Sequence, residues 1–479
     1  MRQEADIVVI GGGGAGLAAA AEAARLGKTA IVIEKDARPG GTTALAVGSI
    51  MAAGTRIQRR AGVEDSPAQH AAEMAELAVR LGIEDSAELR QLFTEHAGET
   101  VDFLESIGVD FLGPLEQPPF RVRRFHVALP GGRAYVRRLS QFCEQAGVHI
   151  RTGCAARRLL VEGGRVCGVQ GADGEVRARQ GVVLASGDFS ADPGLRAELL
   201  SPGTEGLQPL NPCATGDGQR MARAIGARLH LRPDLKAAHL AHARFPPPAQ
   251  PGFISRLPPY RPLTLAMKLA MQWLPRSVLR PVVMAAAMTA LSPERPFFKR
   301  GAILVNRRGE RFADELGAPG ADISRQPDAE AFVVFDDRIA RLFSAWPNYV
   351  STAPGIAYAY VDDYRRARGD MFYEAPSAEA LAARLHIPAA ALAATLEQKG
   401  LREAPYYAMG PIKAWLLLTP IGTAVNVRLQ VLKDDGSAIP GLYAAGGAGQ
   451  GGFTTTAHGH GLGWAFTSGR LAARNAAQA

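Results

Sequence analysis

The sequence predicts an α/β fold built on a parallel sheet, and three observations predict it. Asp6-Ile-Val-Val-Ile-Gly-Gly-Gly-Gly-Ala-Gly-Leu17 reads as a buried strand that runs into a glycine turn and then a helix. A second strand, Thr29 to Ile33, ends in an acid, Glu34. A third buried strand, Gly181-Val-Val-Leu-Ala-Ser-Gly187, also ends in glycine. Together they predict a Rossmann-like dinucleotide-binding sheet.

Ile7, Val8, Val9 and Ile10 carry no polar break, as expected of the inner strand of a parallel sheet. Gly11, Gly13 and Gly16 fall at GxGxxG spacing, with Gly14 and Ala15 completing the turn. The missing side chains permit the tight turn, the approach of a pyrophosphate and close helix packing. Leu17 to Leu26 is alanine-rich and helical, so its free N–H groups and positive dipole end face the phosphates. Glu34, followed by Lys35, is the acid placed for a ribose hydroxyl. Pro39-Gly-Gly-Thr-Thr43 and Ala46-Val-Gly48 then form a second glycine loop where an NAD domain normally continues into another βα unit. Such a loop suits a flavin lying deep in the chain. FAD is therefore the expected cofactor, with Gly40, Gly41, Thr42, Thr43, Ala46 and Gly48 against it.

A chain of 479 residues, 47% apolar, can bury two cores. The net charge of +8 is diffuse and has no aromatic-basic motif behind it, so no nucleic-acid role is expected. Cys143, Cys154, Cys167 and Cys213 form no CxxC pair, which suggests neither a metal site nor a disulfide framework. The start, Met1 to Asp6, lacks the apolar run of a signal peptide, so a cytoplasmic location is expected.

Further along, apolar spacing predicts helices over Ala71 to Leu81 and Leu89 to Leu104. Pro114 to Phe125 reads as a proline-rich, then basic loop, with His126 as a loop histidine that either faces substrate or belongs to the basic patch. Tyr135 to Ala146 is a helix and Val148 to Thr152 a strand. Leu159 to Val169 reads as a hairpin turning at Gly163-Gly164, continued by Glu175 to Arg179 as a β-meander. Ala185, Ser186 and Gly187, at the end of the buried strand, again meet the cofactor. Asp217, in Thr215-Gly-Asp-Gly218, is either a helix cap or a polar cofactor contact.

These pieces carry a resemblance. Val9 to Leu17, Gly40-Gly41-Thr42, Gly131-Gly132, Ala185 to Phe189, Thr215 to Gly218 with Met221, Gly301 to Asn306 with Arg311, Phe312 and Glu315, and Ile439 to Gly446 appear in the order of one family. The chain resembles the flavoproteins that include soluble fumarate reductases, the succinate dehydrogenase flavoprotein and the 3-ketosteroid dehydrogenases. The resemblance implies a discontinuous FAD-binding domain, residues 1–234 and 411–479, with an α+β capping domain inserted at 235–410. It also implies flavin contacts at Ala155, Ala156, Gly446, Gly447, Gly461 and Leu462. Gly447 stands where the family usually has a glutamate on the ribityl chain.

Departures from the family narrow the reaction. The proton-donating arginine of fumarate reductases is absent from Glu315 to Gly320. Their dicarboxylate-binding histidine is missing from Pro420 to Val425, and Thr456 replaces the substrate arginine. The expectation is a cleft without anion-holding groups, for which fumarate is not the substrate. The covalent-flavin position holds Thr42, so FAD is expected to be noncovalent. Phe453 to Gly463 is most similar to the ketosteroid branch, and His458 is the expected acid or base, the alternative being a structural hydrogen bond beneath the flavin. His460 is expected to turn toward the cofactor or away. Tyr360 and Tyr407 are further candidates for proton transfer or carbonyl polarisation.

Leu263 to Leu274 and Val278 to Leu291 are apolar but too short to span a bilayer. The segment 262–291 reads as a lid for a greasy substrate taken from a membrane surface, or as core packing or a subunit contact. The expected activity is FAD-dependent dehydrogenation or reduction of a C–C bond α,β to a carbonyl, in a hydrophobic, steroid-like ketone. It needs a separate electron acceptor or donor. The alternatives are reduction of an unsaturated acid, with arginines such as Arg123, Arg124 or Arg133, and a flavin-binding protein without turnover.

Overall fold

The first strand, Gln3–Ile10, lies between Ala30–Ile33 and Gly174–Leu184 in the computed structural model, parallel to both. The structure describes residues 3–248, 260–275, 280, 284, 291–353, 357–455 and 457–479. Ala438–Ala444 adds in parallel beyond Gly174–Leu184, and His149–Arg151 beyond Ala30–Ile33. Ile10 pairs with Ile33 and with Leu184, and Leu184 with Ala444, so four carboxyl ends lie side by side. In an open parallel sheet the ligand crevice forms outside those ends. The N–H groups of Gly11, Ala185 and Ala445, the first residues past three of these strands, each donate at 2.8 Å to the carbonyl of a neighbouring strand end. The loops therefore start from one level.

The hairpin Ala156–Glu162 with Arg165–Gly171 turns at Gly163-Gly164, as the sequence predicts, with φ of 56° and 79°. The meander and the third buried strand are not separate elements. They form one strand, Gly174–Leu184, whose start pairs with the hairpin and whose end enters the main sheet.

Helix Gly14–Arg25 covers the sheet and packs against the C-terminal helix His460–Ala476. Gly469 makes the close crossing possible, since a Cβ there would lie 2.2 Å from the Ala15 carbonyl oxygen. Helices Pro67–Leu81 and Ala87–Ser106 start at Ser66 and Ser86, whose hydroxyls accept N–H groups of the first turn. Two large apolar cores and a small cluster of Phe189, Leu195, Leu229 and Ile421 result among the described residues. One core surrounds the parallel sheet, and the other surrounds a mixed sheet centred on Tyr406–Leu416 and Glu330–Asp336. Tyr406–Leu416 also pairs with Ala241–Arg244 and Phe372–Ala375.

Of the predicted lid, helix Arg261–Trp273 is described. It is docked by Thr264, whose hydroxyl donates to Asp110, and by Tyr260, whose ring lies 4.2 Å from the Arg137 guanidinium. Most of 278–291 lies outside the described residues, as does Thr456. Among the described residues no helix is long and apolar enough to cross a membrane.

Candidate active site

The glycine turn forms as its spacing requires. Gly11 has φ 105°, and a Cβ on Gly16 would fall 1.8 Å from the Gly11 carbonyl oxygen. Gly13 and Gly187 are different. A Cβ on Gly13 would meet only Gly40 O, at 3.9 Å, and one on Gly187 would meet nothing within 4 Å. Packing thus demands glycine at Gly11 and Gly16, while Gly13 and Gly187 present bare backbone to the crevice.

Glu34 stands at the end of the second strand, buried, with Oε2 accepting from Gly12 N at 2.6 Å and Oε1 from Asp36 N at 2.8 Å. Its backbone joins it to Cys154, one residue before Ala155 and Ala156, which open the hairpin. The second glycine loop lies against the first: Gly40 N donates to Gly12 O at 2.9 Å and Gly14 N to Thr43 Oγ1 at 3.1 Å. Gly41 and Thr42 sit in the short helix Gly41–Leu45, and Thr42 Oγ1 accepts from Asn211 at 3.1 Å. Ala46 and Gly48 are fixed from the other side, by Gly132 N on Ala46 O and by the Tyr135 hydroxyl on Gly48 O. Ser186 Oγ accepts from Gly218 N, and Gly446 N donates to Ser468 Oγ. Gly447 packs on Asp188, and Gly461 and Leu462 lie in the first turn of the C-terminal helix. Buried strand ends, bare backbone and an acid at the second strand fit a dinucleotide.

Several expectations are corrected. Asp217 is not a cap: Gly216 is, in the left-handed region. The Asp217 carboxylate instead accepts from Lys35 at 2.7 Å, because Lys35 reaches across from the second strand. His126 is not in a loop. It is buried in the strand Phe125–Ala128, 3.0 Å from the Thr55 hydroxyl, and burial lowers its pKa to about 4. Arg124 is buried between Asp65, at 2.8 Å, and Glu73, at 3.0 Å, so it is committed to the fold. His460 is buried, with Nε2 3.2 Å from His70 Nε2, among Phe93 and Phe120.

Tyr407 is buried in the second core, stacked on Phe335, and its hydroxyl donates to Asp337 at 3.1 Å. It occupies the opposite end of the strand Tyr406–Leu416 from Lys413 to Leu416, about 25 Å away at strand rise. Tyr360 precedes helix Val361–Ala367, with its ring under Arg280 at 5.1 Å. The structure brings neither tyrosine to His458.

It brings His242 and Arg244 instead. Both lie on Ala241–Arg244, paired with Trp415 and Lys413 of the long strand Tyr406–Leu416. His458 opens to solvent through the cleft but has protein on most sides, and its pKa is lowered by burial and by Arg244. The pKa of His242 is lowered to about 4, first by the protein packed around it and then by Arg244 and His458, although the residue is exposed to solvent. Burial also lowers that of Arg244. Arg244 thus acts on both imidazoles and favours their neutral forms. His242 and Arg244 are basic groups that the motifs alone do not associate with His458. The signal was present as Ala-His-Ala-Arg, whose two polar residues at i and i+2 share a strand face.

The family model described as an FAD binding domain matches residues 6–253 and 263–463. The chain belongs to this FAD-binding family. This flavoprotein is 28% identical to the digoxin reductase of Eggerthella lenta, over 99% of its own length and 87% of that protein's. Its fold matches the open conformation of a flavocytochrome c3 fumarate reductase with a TM-score of 0.73, at 23% identity over 99% of this chain and 78% of the other. It also matches 3-ketosteroid Δ1-dehydrogenase from Sterolibacterium denitrificans, with a TM-score of 0.67 at 18% identity over 99% and 100% of the two chains. The flavoprotein is thus an FAD-dependent oxidoreductase of the type the motifs resemble.

Proposed function

We propose that this flavoprotein dehydrogenates or reduces a C–C bond α,β to a carbonyl in an apolar ketone-like substrate. What supports the reading is the placement of His242 and Arg244 two residues apart on one strand, with Arg244 lowering the pKa of both His242 and His458. Bound FAD supplies the two-electron chemistry, giving or taking a hydride. The glycine turn, Glu34 and the Thr42–Thr43 loop would hold it.

Arg244 is the permanent cation of the trio. It holds the substrate's carbonyl oxygen and stabilises the negative charge that gathers there as the α-proton leaves. His242 stays neutral and donates a hydrogen bond beside it. His458, unprotonated at pH 7, takes the α-proton from the substrate or, in the reverse direction, returns it. The digoxin reductase relationship supports a substrate larger than a small diacid.

A second reading, reduction of an unsaturated carboxylic acid, draws on the same arginine, since a guanidinium grips a carboxylate through two parallel hydrogen bonds. Anaerobic titration of the reduced protein separates the two. Reoxidation of the flavin by a cyclic enone, and not by fumarate or an acrylate-type acid, is the expected result. Rapid reoxidation by the acids alone overturns it.

A further inference from the structure

Helix Arg261–Trp273 presents an apolar stripe to solvent. Leu265, Leu269 and Trp273, at i, i+4 and i+8, are 47%, 46% and 81% exposed, while Thr264 is 2% exposed and holds the other face down. Leu263, Met267 and Met271 are half-buried, so Leu265, Leu269 and Trp273 form a second apolar row that the helix leaves uncovered.

Charge gives the second observation. From Leu235 to Pro293 the chain contains no aspartate or glutamate, while lysines and arginines recur through it. At the start of the helix, Arg261 helps line a cavity of about 720 Å³ together with Arg56, Arg138 and Arg474. Arg56 is paired with Asp102 and Arg474 with Glu22 and Glu99. Arg138 is differently placed: its buried Nη2 has no hydrogen-bond partner among the described residues. The cavity is separate from the catalytic cleft, because Arg474 lies about 20 Å along the C-terminal helix from His460.

We infer that this helix and the adjoining arginine cavity form a docking surface for an anionic phospholipid bilayer, with Leu265, Leu269 and Trp273 entering the interface and Arg138 and Arg261 taking a lipid phosphate. Tryptophan and leucine on one face with cations beside them is the pattern of helices that lie in the plane of a membrane surface. An apolar substrate dissolved in that bilayer then reaches the protein without crossing water. The docking surface does not depend on the identity of the substrate.

The test is flotation of the FAD-loaded full chain with vesicles of phosphatidylcholine alone or with added phosphatidylglycerol. Binding to the anionic vesicles at least about tenfold stronger is expected, weakening as salt rises. Leu265→Glu with Leu269→Glu abolishes it while leaving FAD content unchanged, because both side chains are exposed. Arg138→Ala with Arg261→Ala lowers the anionic preference, and Trp273→Phe removes the fluorescence blue shift that accompanies binding. Equal binding to both vesicle types, no binding to either, or a solution dimer that Leu269→Glu dissociates would each overturn the proposal, the last by assigning the stripe to a second copy of the chain.

Discussion

Glu22 and Arg470 meet at 2.9 Å with side chains 0% and 4% exposed, and so tie the first helix of the chain to the last. Burial opposes ionisation of Glu22, but Arg25, Arg470 and Arg474 outweigh it and hold its pKa down to about 2. The two helices carry the glycine turn and the Gly459–Leu462 loop at their N-terminal ends. The pair therefore sets the spacing of the two halves of the cofactor crevice.

Removing one partner leaves a buried charge uncompensated. Arg470→Met should cost about 3–5 kcal/mol in denaturant unfolding. Replacing exposed Arg25, which is not buried with the carboxylate, should cost under about 1 kcal/mol.

Gly16→Ala should strip the protein of most of its FAD. The added methyl would sit 1.8 Å from the Gly11 carbonyl oxygen, so the turn must open. The ratio of flavin to protein absorbance after purification reads this directly. Gly13→Ala, whose methyl would meet no protein atom closer than 3.9 Å, should spare the fold and weaken only cofactor affinity.

Stability should fall between pH 6.5 and 4.5. His70, His126 and His460 all have folded pKa values lowered by burial, His126 to about 4 and His460 to about 3. Their stabilisation is complete above the unfolded pKa near 6.5 and is lost as pH falls toward the folded values, by about 1.4 kcal/mol per pH unit for each group. Asp188, pushed up to about 6 by burial, acts in the opposite sense and offsets one of the three. Melting temperature against pH checks the slope, and His126→Gln should flatten it.

Acid precipitation should release all the flavin to the supernatant. Thr42 offers no nucleophile for a flavin bond, and its hydroxyl accepts from Asn211. Colour retained in the pellet would contradict a noncovalent cofactor.

The cofactor half of the molecule was legible because its constraints are local. The glycine turn, the unbroken strand before it and the Gly163-Gly164 hairpin each follow from backbone demands of neighbouring residues. His126 was misread because its neighbours look like loop, whereas Thr55 and Ile50, far away in sequence, complete its strand environment. His242 and Arg244 were missed for a related reason. Nothing beside them in the chain says that Lys413 and Trp415 will pair with them, or that His458 will act on His242. Tyr407 shows the converse: it lies on the same long strand, but at the wrong end.

The most direct test of the basic trio is stopped-flow reoxidation of the anaerobically reduced protein by a cyclic enone, in the parent and in His458→Gln and Arg244→Met. The account predicts that His458→Gln slows the step by about 10²–10⁴-fold with FAD content unchanged. It also predicts that Arg244→Met lowers both rate and enone affinity. Reoxidation at the parent rate in both variants would contradict it.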